Sequence, residues 1–374
     1  MATAMALALG GAGVAHAATC DPLTTKPKFD QPVPTAKDIL GKQLGKSKLS
    51  VDEVYKYMLA LDAASPRIVT GVYGTSVRGV PLRYALVSNP DNLSNSALAN
   101  LSSDAKALRN PLLPSAQADA IEARLPAILS VGANVHGNEP SGTEAVLRTM
   151  YNLAGRSDCA ATQVLDNAVT LLIPTQNPDA RTSGFRRNAY WFDLNRDDWA
   201  RTQPETDSRI ELFRKYPPLL FADEHENGTS SYFFPPNTDP IYHEVPDTSV
   251  DWMDNLYGPA MAKAFTDLGY RYYTGQQSGY DYFAPEYGDT VVSDGFLGAG
   301  MTFEKGSYDP YRLKVRQQWP MRPMPVRCTE RCSNSASASN SQSSGSTGHE
   351  TTSAHAGCLP ARRAAIRSYA SRRQ

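Results

Sequence analysis

Histidine is scarce in this chain, with six among 374 residues, so any histidine in a structured setting carries weight. Positive charge is not in excess either. Lys and Arg number 37 against 38 Asp and Glu, a net charge of −1, which leaves no basic surplus for nucleic-acid phosphates. No apolar run reaches the roughly 18 residues of a membrane span. A Gly-x-Ser-x-Gly elbow is missing, which argues against a serine hydrolase, and no His-Glu-x-x-His is present to suggest a thermolysin-like peptidase. What remains, with 41% hydrophobic and 20% charged residues, is the composition of a protein able to bury a large core.

Cysteine is sparse and uneven. Cys20 and Cys159 lie in or near the body of the chain and can pair if the protein is exported; Cys328, Cys332 and Cys358 fall near the C-terminus. Cys328 and Cys332 with His349 and His355 imitate a metal knuckle only superficially, because the segment between them is serine-rich and has no core-forming residues. Residues 1–17 are rich in Ala, Gly and Leu and end Ala15-His16-Ala17, a cleavage-type signature. We read them as a signal peptide whose written start is truncated, since no Lys or Arg precedes the apolar stretch, and expect a secreted or periplasmic protein.

Strand-like and helix-like segments alternate along the middle of the chain. Val51–Leu61 has helical periodicity, and Arg67–Tyr73 with Pro81–Val87 reads as an opening hairpin. Residues 89–114, rich in Asn, Ser and Pro, read as an insertion or loop. Buried strands are expected at Ala127–Val135, Ala168–Pro174, Pro218–Asp223 and Gly300–Glu304, with helices near Thr143–Leu153, Glu205–Lys215 and Val250–Leu268 between them. That alternation predicts an α/β layer fold.

His136-Gly137-Asn138-Glu139 stands immediately after the first of these strands. A histidine and a carboxylate three residues apart at a strand end are placed as two ligands of one metal. Catalytic zinc takes three protein ligands from imidazole and carboxylate and keeps a fourth position for water, whose pKa it lowers. With His16 in the leader and His349 and His355 near the C-terminus, the third ligand is His225 or His243. His225 is favoured, because the apolar run Leu219–Ala222 delivers it as a strand would; His243 sits in a proline-bounded loop.

In order, His136-x-x-Glu139, Asn177-Pro178-Asp179, Asp193-Leu194-Asn195-Arg196, His225 and Thr302-Phe303-Glu304 resemble the motifs of the zinc carboxypeptidases related to carboxypeptidase A. The likeness runs from about residue 50 to about residue 315. It implies a single domain with a central mixed β-sheet flanked by helices and one Zn²⁺ at the carboxyl ends of its strands, held by His136, Glu139 and His225. It further implies Glu304 as the general base that takes a proton from the attacking water and passes it to the leaving amine. Asn195 and Arg196 match the pair that clamps a substrate's terminal carboxylate, and one of Arg186 and Arg187, with the family pattern favouring Arg186, would stabilise the oxyanion. Asp193 resembles the carboxylate that orients the first zinc histidine. Tyr273 resembles the mobile tyrosine that closes over substrate, though Tyr272, Tyr280 and Tyr282 crowd the same stretch.

Departures from the family pattern bear on specificity. Asn138 replaces an arginine that helps bind extended peptide in the digestive enzymes, and Ala180 stands where a glycine is usual. Tyr280 falls where a pocket acid would select Lys or Arg, which tilts the expected preference towards apolar or aromatic C-terminal residues. After about Trp319 the composition turns Ser- and Arg-rich and the family's closing helix is missing. We therefore expect a lead-in over 18–50, a catalytic domain over 51–319 and a disordered tail over 320–374 that reads as out of frame. The expected activity is removal of single residues from the free C-terminus of peptides or proteins. Two readings stay open beside it: a zinc deacylase or amidase acting on N-acyl amino acids or cell-wall peptides, and a catalytically silent binding protein.

Overall fold

The central parallel strands form because four near-continuous apolar runs must be buried on both faces. The computed structural model describes residues 20, 25–227, 232–234, 245–274, 287–288 and 290–306. The strands are β1 (Ile68–Thr75), β2 (Pro81–Val87), β3 (Ala127–Ala133), β4 (Ala168–Ile173), β5 (Leu220–Asn227), β6 (Tyr232–Phe234), β7 (Tyr272–Thr274) and β8 (Ala299–Gly306). They make one sheet in the order β1-β2-β4-β3-β5-β8-β6-β7. Its centre, β4-β3-β5-β8, is parallel, while β1, β2 and the β6–β8 contact are antiparallel, giving the expected mixed sheet.

Helices cover both faces of the sheet. On one side α1 (Ala36–Leu40), α2 (Val51–Ala64), α5 (Ser141–Gly155) and α6 (Cys159–Asn167) bury Leu49, Val54, Met58, Leu61, Val146 and Met150. On the other, α3 (Asn95–Ala107) and α8 (Pro204–Lys215) pack Leu98, Leu101, Ile210 and Phe213 against Ile128, Val169 and Phe221. A further cluster joins α9 (Asp247–Trp252) and α10 (Gly258–Asp267) through Trp252, Met261 and Phe265 to Leu220, Met301 and Phe303. The remaining helices are α4 (Ser115–Glu122), α7 (Pro178–Ser183) and α11 (Thr290–Phe296).

Two sequence expectations are corrected. Residues 89–114 are not a plain loop: Ser94 caps α3 by accepting a hydrogen bond from the Ala97 amide, and Leu98, Leu101 and Ala105 recur at helical spacing on its buried face. The polar Asn and Ser residues occupy the other face and hide that period. Strand β5 also runs past Asp223 to Asn227, because its ladder with β8 continues to Asn227↔Gly306. The leader, the 320–374 tail, His243, Tyr280 and Tyr282 lie outside the described residues. Cys20 and Cys159 are disulfide-bonded, with Cα atoms 5.8 Å apart, pinning the lead-in to the first residue of α6.

Arg181 locks these layers together. Fully buried, it donates through Nε and Nη2 to the Leu49 carbonyl and through Nη1 to the Pro140 carbonyl, Thr143 Oγ1 and Asn134 Oδ1. The entry to α2, the start of α5 and the exit from β3 therefore share one guanidinium. Arg181→Met should lower stability by about 3 kcal/mol or more, since it orphans several buried acceptors at once; the urea unfolding midpoint measures it, and an unchanged midpoint would contradict this role.

Candidate metal centre

The chain leaves β3 through Asn134, which adopts a left-handed conformation at φ 59°. Asparagine tolerates that region because its short amide can bond locally. Here Asn134 Nδ2 donates to the carbonyls of His136 and Glu139 at 2.7 and 3.1 Å, while Thr175 and Arg181 hold its Oδ1. Only glycine fits at 137, where a Cβ would run into the backbone of Ala180 at close range. The loop is thus folded tightly on itself and onto α7, whose first turn is capped by Asn177 Oδ1. Asp179 is fixed by the Ser76 hydroxyl and the Arg78 amide. The Asn177-Pro178-Asp179-Ala180 segment is therefore the floor under His136.

His136, Glu139 and His225 converge from this loop and from β5. Their ligand atoms all lie within 4.8 Å of one another, and all three residues are buried. His136 Nδ1 is 2.8 Å from Glu139 Oε1, His225 Nδ1 is 3.1 Å from Glu139 Oε2, and the two Nδ1 atoms are 3.3 Å apart. Atoms bound to tetrahedral zinc at its usual bond lengths stand about 3.4 Å apart. The imidazole pair matches that spacing, and small torsions of the glutamate open the rest. Each ring turns its other nitrogen to a carboxylate: His136 Nε2 lies 3.1 Å from Asp193 Oδ1 and His225 Nε2 lies 3.0 Å from Asp223 Oδ2. Outward Nε2–H groups leave both Nδ1 lone pairs facing the common point, so the donor set fits a zinc ion.

The charges around the centre reinforce one another. Burial raises the Glu139 pKa, but in the metal-free site the two imidazoles, where protonated, outweigh it through hydrogen bonds and charge and bring the value to about 2. Asp193 is pushed up by burial and held well below the usual carboxylate range by its proximity to His136 and Arg186. For His225 burial lowers the pKa, yet the carboxylates of Asp223 and Glu139 more than reverse this and hold it well above the usual value. Glu139 Oε2 also accepts the Glu226 amide, while Glu226 Oε1 accepts from the amide and hydroxyl of Ser141. Lys305 Nζ, buried, donates to the same Ser141 hydroxyl.

Other residues singled out from the sequence fall around the same cleft. Glu304 lies directly across the parallel ladder from His225, on a neighbouring strand about 4.8 Å away. Arg186 enters the cleft, with Nε 2.9 Å from Asp193 Oδ2 and Nη1 3.6 Å from Glu139 Oε1, whereas Arg187 points its Nη1 to the Trp191 carbonyl. Asn195 is buried; its Oδ1 accepts the Gly288 amide at 2.7 Å and its Nδ2 sits 3.4 Å from His225 Nε2. Arg196 lines the cleft with its guanidinium 4.2 Å from the centre of the Tyr287 ring. Tyr273 stands on β7, its hydroxyl 3.4 Å from Nδ2 of the cleft residue Asn227.

Four partners escaped the sequence reading. Asp223 had a signal, because residues two apart on a strand share a face and Asp223-x-His225 puts an acid beneath the imidazole. Ser141, Glu226 and Tyr287 had none that distinguishes them from other polar or aromatic loop residues.

Residues 54–196 match the zinc carboxypeptidase family model. Carboxypeptidase 2 of Trichophyton rubrum is 37% identical over 108 residues, which are 29% of this chain and 20% of that protein, so the match spans about a fifth of the relative's length. Among solved structures, carboxypeptidase A of Helicoverpa armigera superposes with a TM-score of 0.50 at 16% identity, covering 72% of this chain and 70% of that one. The metallo-carboxypeptidase of Burkholderia cenocepacia gives 0.50 at 16% identity over 69% and 60% of the two chains. These likenesses cover a larger share of the chain than the family match does and concern the fold alone.

A proton held on His225 competes with a metal for Nδ1. Zinc affinity should therefore fall as pH drops through the raised His225 pKa, by up to about tenfold per pH unit, with proton release on binding. Calorimetric zinc titration in two buffers of different ionisation enthalpy reads both quantities; an affinity independent of pH between about 5 and about 8 would contradict it. Residues 54–196 thus carry the zinc carboxypeptidase pattern, and the fold as a whole is similar to that of carboxypeptidase A from Helicoverpa armigera.

Proposed function

We propose that the protein is a zinc-dependent metallocarboxypeptidase that hydrolyses the C-terminal peptide bond of peptides or proteins. The observation that carries this reading is the convergence of His136, Glu139 and His225 within 4.8 Å, with Glu304 on the adjoining strand beside His225. Bound there, zinc supplies a Lewis acid that polarises the scissile carbonyl and makes water a nucleophile at neutral pH. Glu304, 6% exposed and lining the cleft, takes the proton of the attacking water and returns it to the leaving amine.

Arginine chemistry supplies the remaining charge. Arg186, tethered by Asp193 and partly exposed, stabilises the negative oxygen that develops as the carbonyl is attacked. Arg196, backed by Asn195, offers the guanidinium fork that binds a terminal carboxylate and restricts cleavage to the last residue. Tyr273 is the residue we assign to closing the site over substrate, and Tyr280 the one that favours an apolar or aromatic C-terminal side chain. We assign the catalytic domain to residues 51–319, between the 18–50 lead-in and the 320–374 tail. The Cys20–Cys159 disulfide supports an exported protein, secreted or periplasmic, since such bonds persist in oxidising compartments; the leader ending Ala15-His16-Ala17 supports it too.

Glu304→Gln should retain zinc and lose roughly 10²–10⁴-fold in kcat on blocked dipeptides, with KM little changed. Amidating the substrate's terminal carboxylate should remove most of kcat/KM. Full turnover by Glu304→Gln sinks the mechanism, and turnover confined to N-acyl amino acids would assign a deacylase instead.

A further inference from the structure

Behind His225 runs a chain of buried polar groups that leads away from the cleft. Asp223 Oδ2 meets His225 Nε2 at 3.0 Å, and Asp223 Oδ1 accepts from Gln176 Nε2 at 2.9 Å. Gln176 Oε1 accepts from Arg209 Nη1, and Arg209 Nη2 is ion-paired with Asp198. Asp223, Gln176, Arg209 and Asp198 are each no more than 2% exposed.

The direction of every hydrogen bond in this chain is dictated from its far end. A guanidinium has donors and no acceptor, so Arg209 must meet the oxygen of the Gln176 amide. The Gln176 nitrogen is then the atom facing Asp223, and Asp223 must accept there. An ionised carboxylate only accepts, so His225 Nε2 must carry the hydrogen it offers to Oδ2. Asn195, its Oδ1 committed to the Gly288 amide, turns the donor Nδ2 towards the same nitrogen at 3.4 Å and by itself favours a lone pair there; the ionised carboxylate of Asp223, nearer at 3.0 Å, outweighs it. With Nε2 protonated, a neutral His225 has its lone pair on Nδ1, the atom that faces Glu139 and His136.

We infer that Asp223, polarised by Gln176 and Arg209, is a positioning residue that sets the tautomer of His225 and so presents Nδ1 to the metal. The inference rests on the zinc reading above. Asparagine at 223 inverts the chain: its oxygen is claimed by Gln176, its NH₂ faces His225 Nε2, and the imidazole must move its hydrogen to Nδ1, where a metal would bind. The alternative amide orientation opposes two NH₂ groups between residues 223 and 176.

The test is Asp223→Asn, read in two ways. Histidine ¹⁵N–¹H correlation spectra of the metal-free protein at a pH where His225 is neutral should show Nε2–H in the parent and Nδ1–H in the variant. Zinc affinity measured against a competing chelator should fall roughly 10–100-fold. Gln176→Met, which keeps the shape of the side chain and loses the donor, should give a smaller loss of affinity with the parent tautomer retained. If Asp223→Asn does not fold, Asp223→Ala replaces it: with the acceptor gone the Nε2–H tautomer loses its bias, and a mixed tautomer with weakened zinc affinity is expected. An unchanged tautomer and unchanged zinc affinity in a folded variant overturn the inference. Failure of the parent protein to bind zinc overturns the zinc reading instead, and the spectra of the metal-free chain still decide the polarity of the relay.

Discussion

Two imidazole nitrogens held 3.3 Å apart in a buried place are the constraint on which the rest of the centre depends. Lone pairs at that distance repel unless a cation or a proton lies between them, and removal from water makes the conflict more costly. The surrounding architecture resolves it with negative charge: Glu139 closes the third side, while Asp193 and Asp223 stand behind the rings. The fold contributes position rather than chemistry. Strand β3 ends at the level of Glu224, one position before His225 on β5, and the loop after it is tied by Asn134 and Arg181 so that its histidine and glutamate cannot drift from the histidine on β5.

A second consequence concerns the other face of the same strands. Alternation along β5 and β8 sends His225 and Glu304 to one side, and Glu226 and Lys305, their immediate neighbours, to the other. Lys305, Glu226 and Ser141 bind one another there, and Glu226 holds Glu139 through its amide. The start of α5 and the two strands are thus joined on the side away from the rings. Glu224, buried on that same side, has its pKa pushed well up by burial and by the nearby Asp223, which suits a neutral acid beside an already charged cluster.

Much of this was legible in the sequence because the informative residues are rare. Six histidines leave few pairings, and His136-x-x-Glu139 with His225 named the metal group before its geometry was known. The apolar runs that gave β3, β4, β5 and β8 are legible for the same physical reason that they fold: strands buried on both faces cannot afford polar interruptions. What stayed hidden has equally physical causes. The period of α3 was masked by the Ser and Asn residues on its exposed face, and the extent of β5 by charged residues whose partners are remote in sequence. Gln176, just past β4, and Asp198 are joined beneath His225 by Arg209 of α8, a meeting of remote segments that no local pattern announces.

The ladder between β5 and β8 has an implication for how such a site can change over generations. His225 pairs with Glu304 and Glu226 with Lys305 in an unbroken register from Leu220↔Ala299 to Asn227↔Gly306. Because side chains alternate strictly between faces, gaining or losing a single residue in β8 does not shift Glu304 by a small distance. Losing one ahead of Glu304 brings the Lys305 ammonium, a cation that repels a metal ion, to the Glu304 position, whereas gaining one brings Phe303 there and sends the carboxylate to the Lys305 position. Lengths in this part of the chain are therefore constrained to the residue.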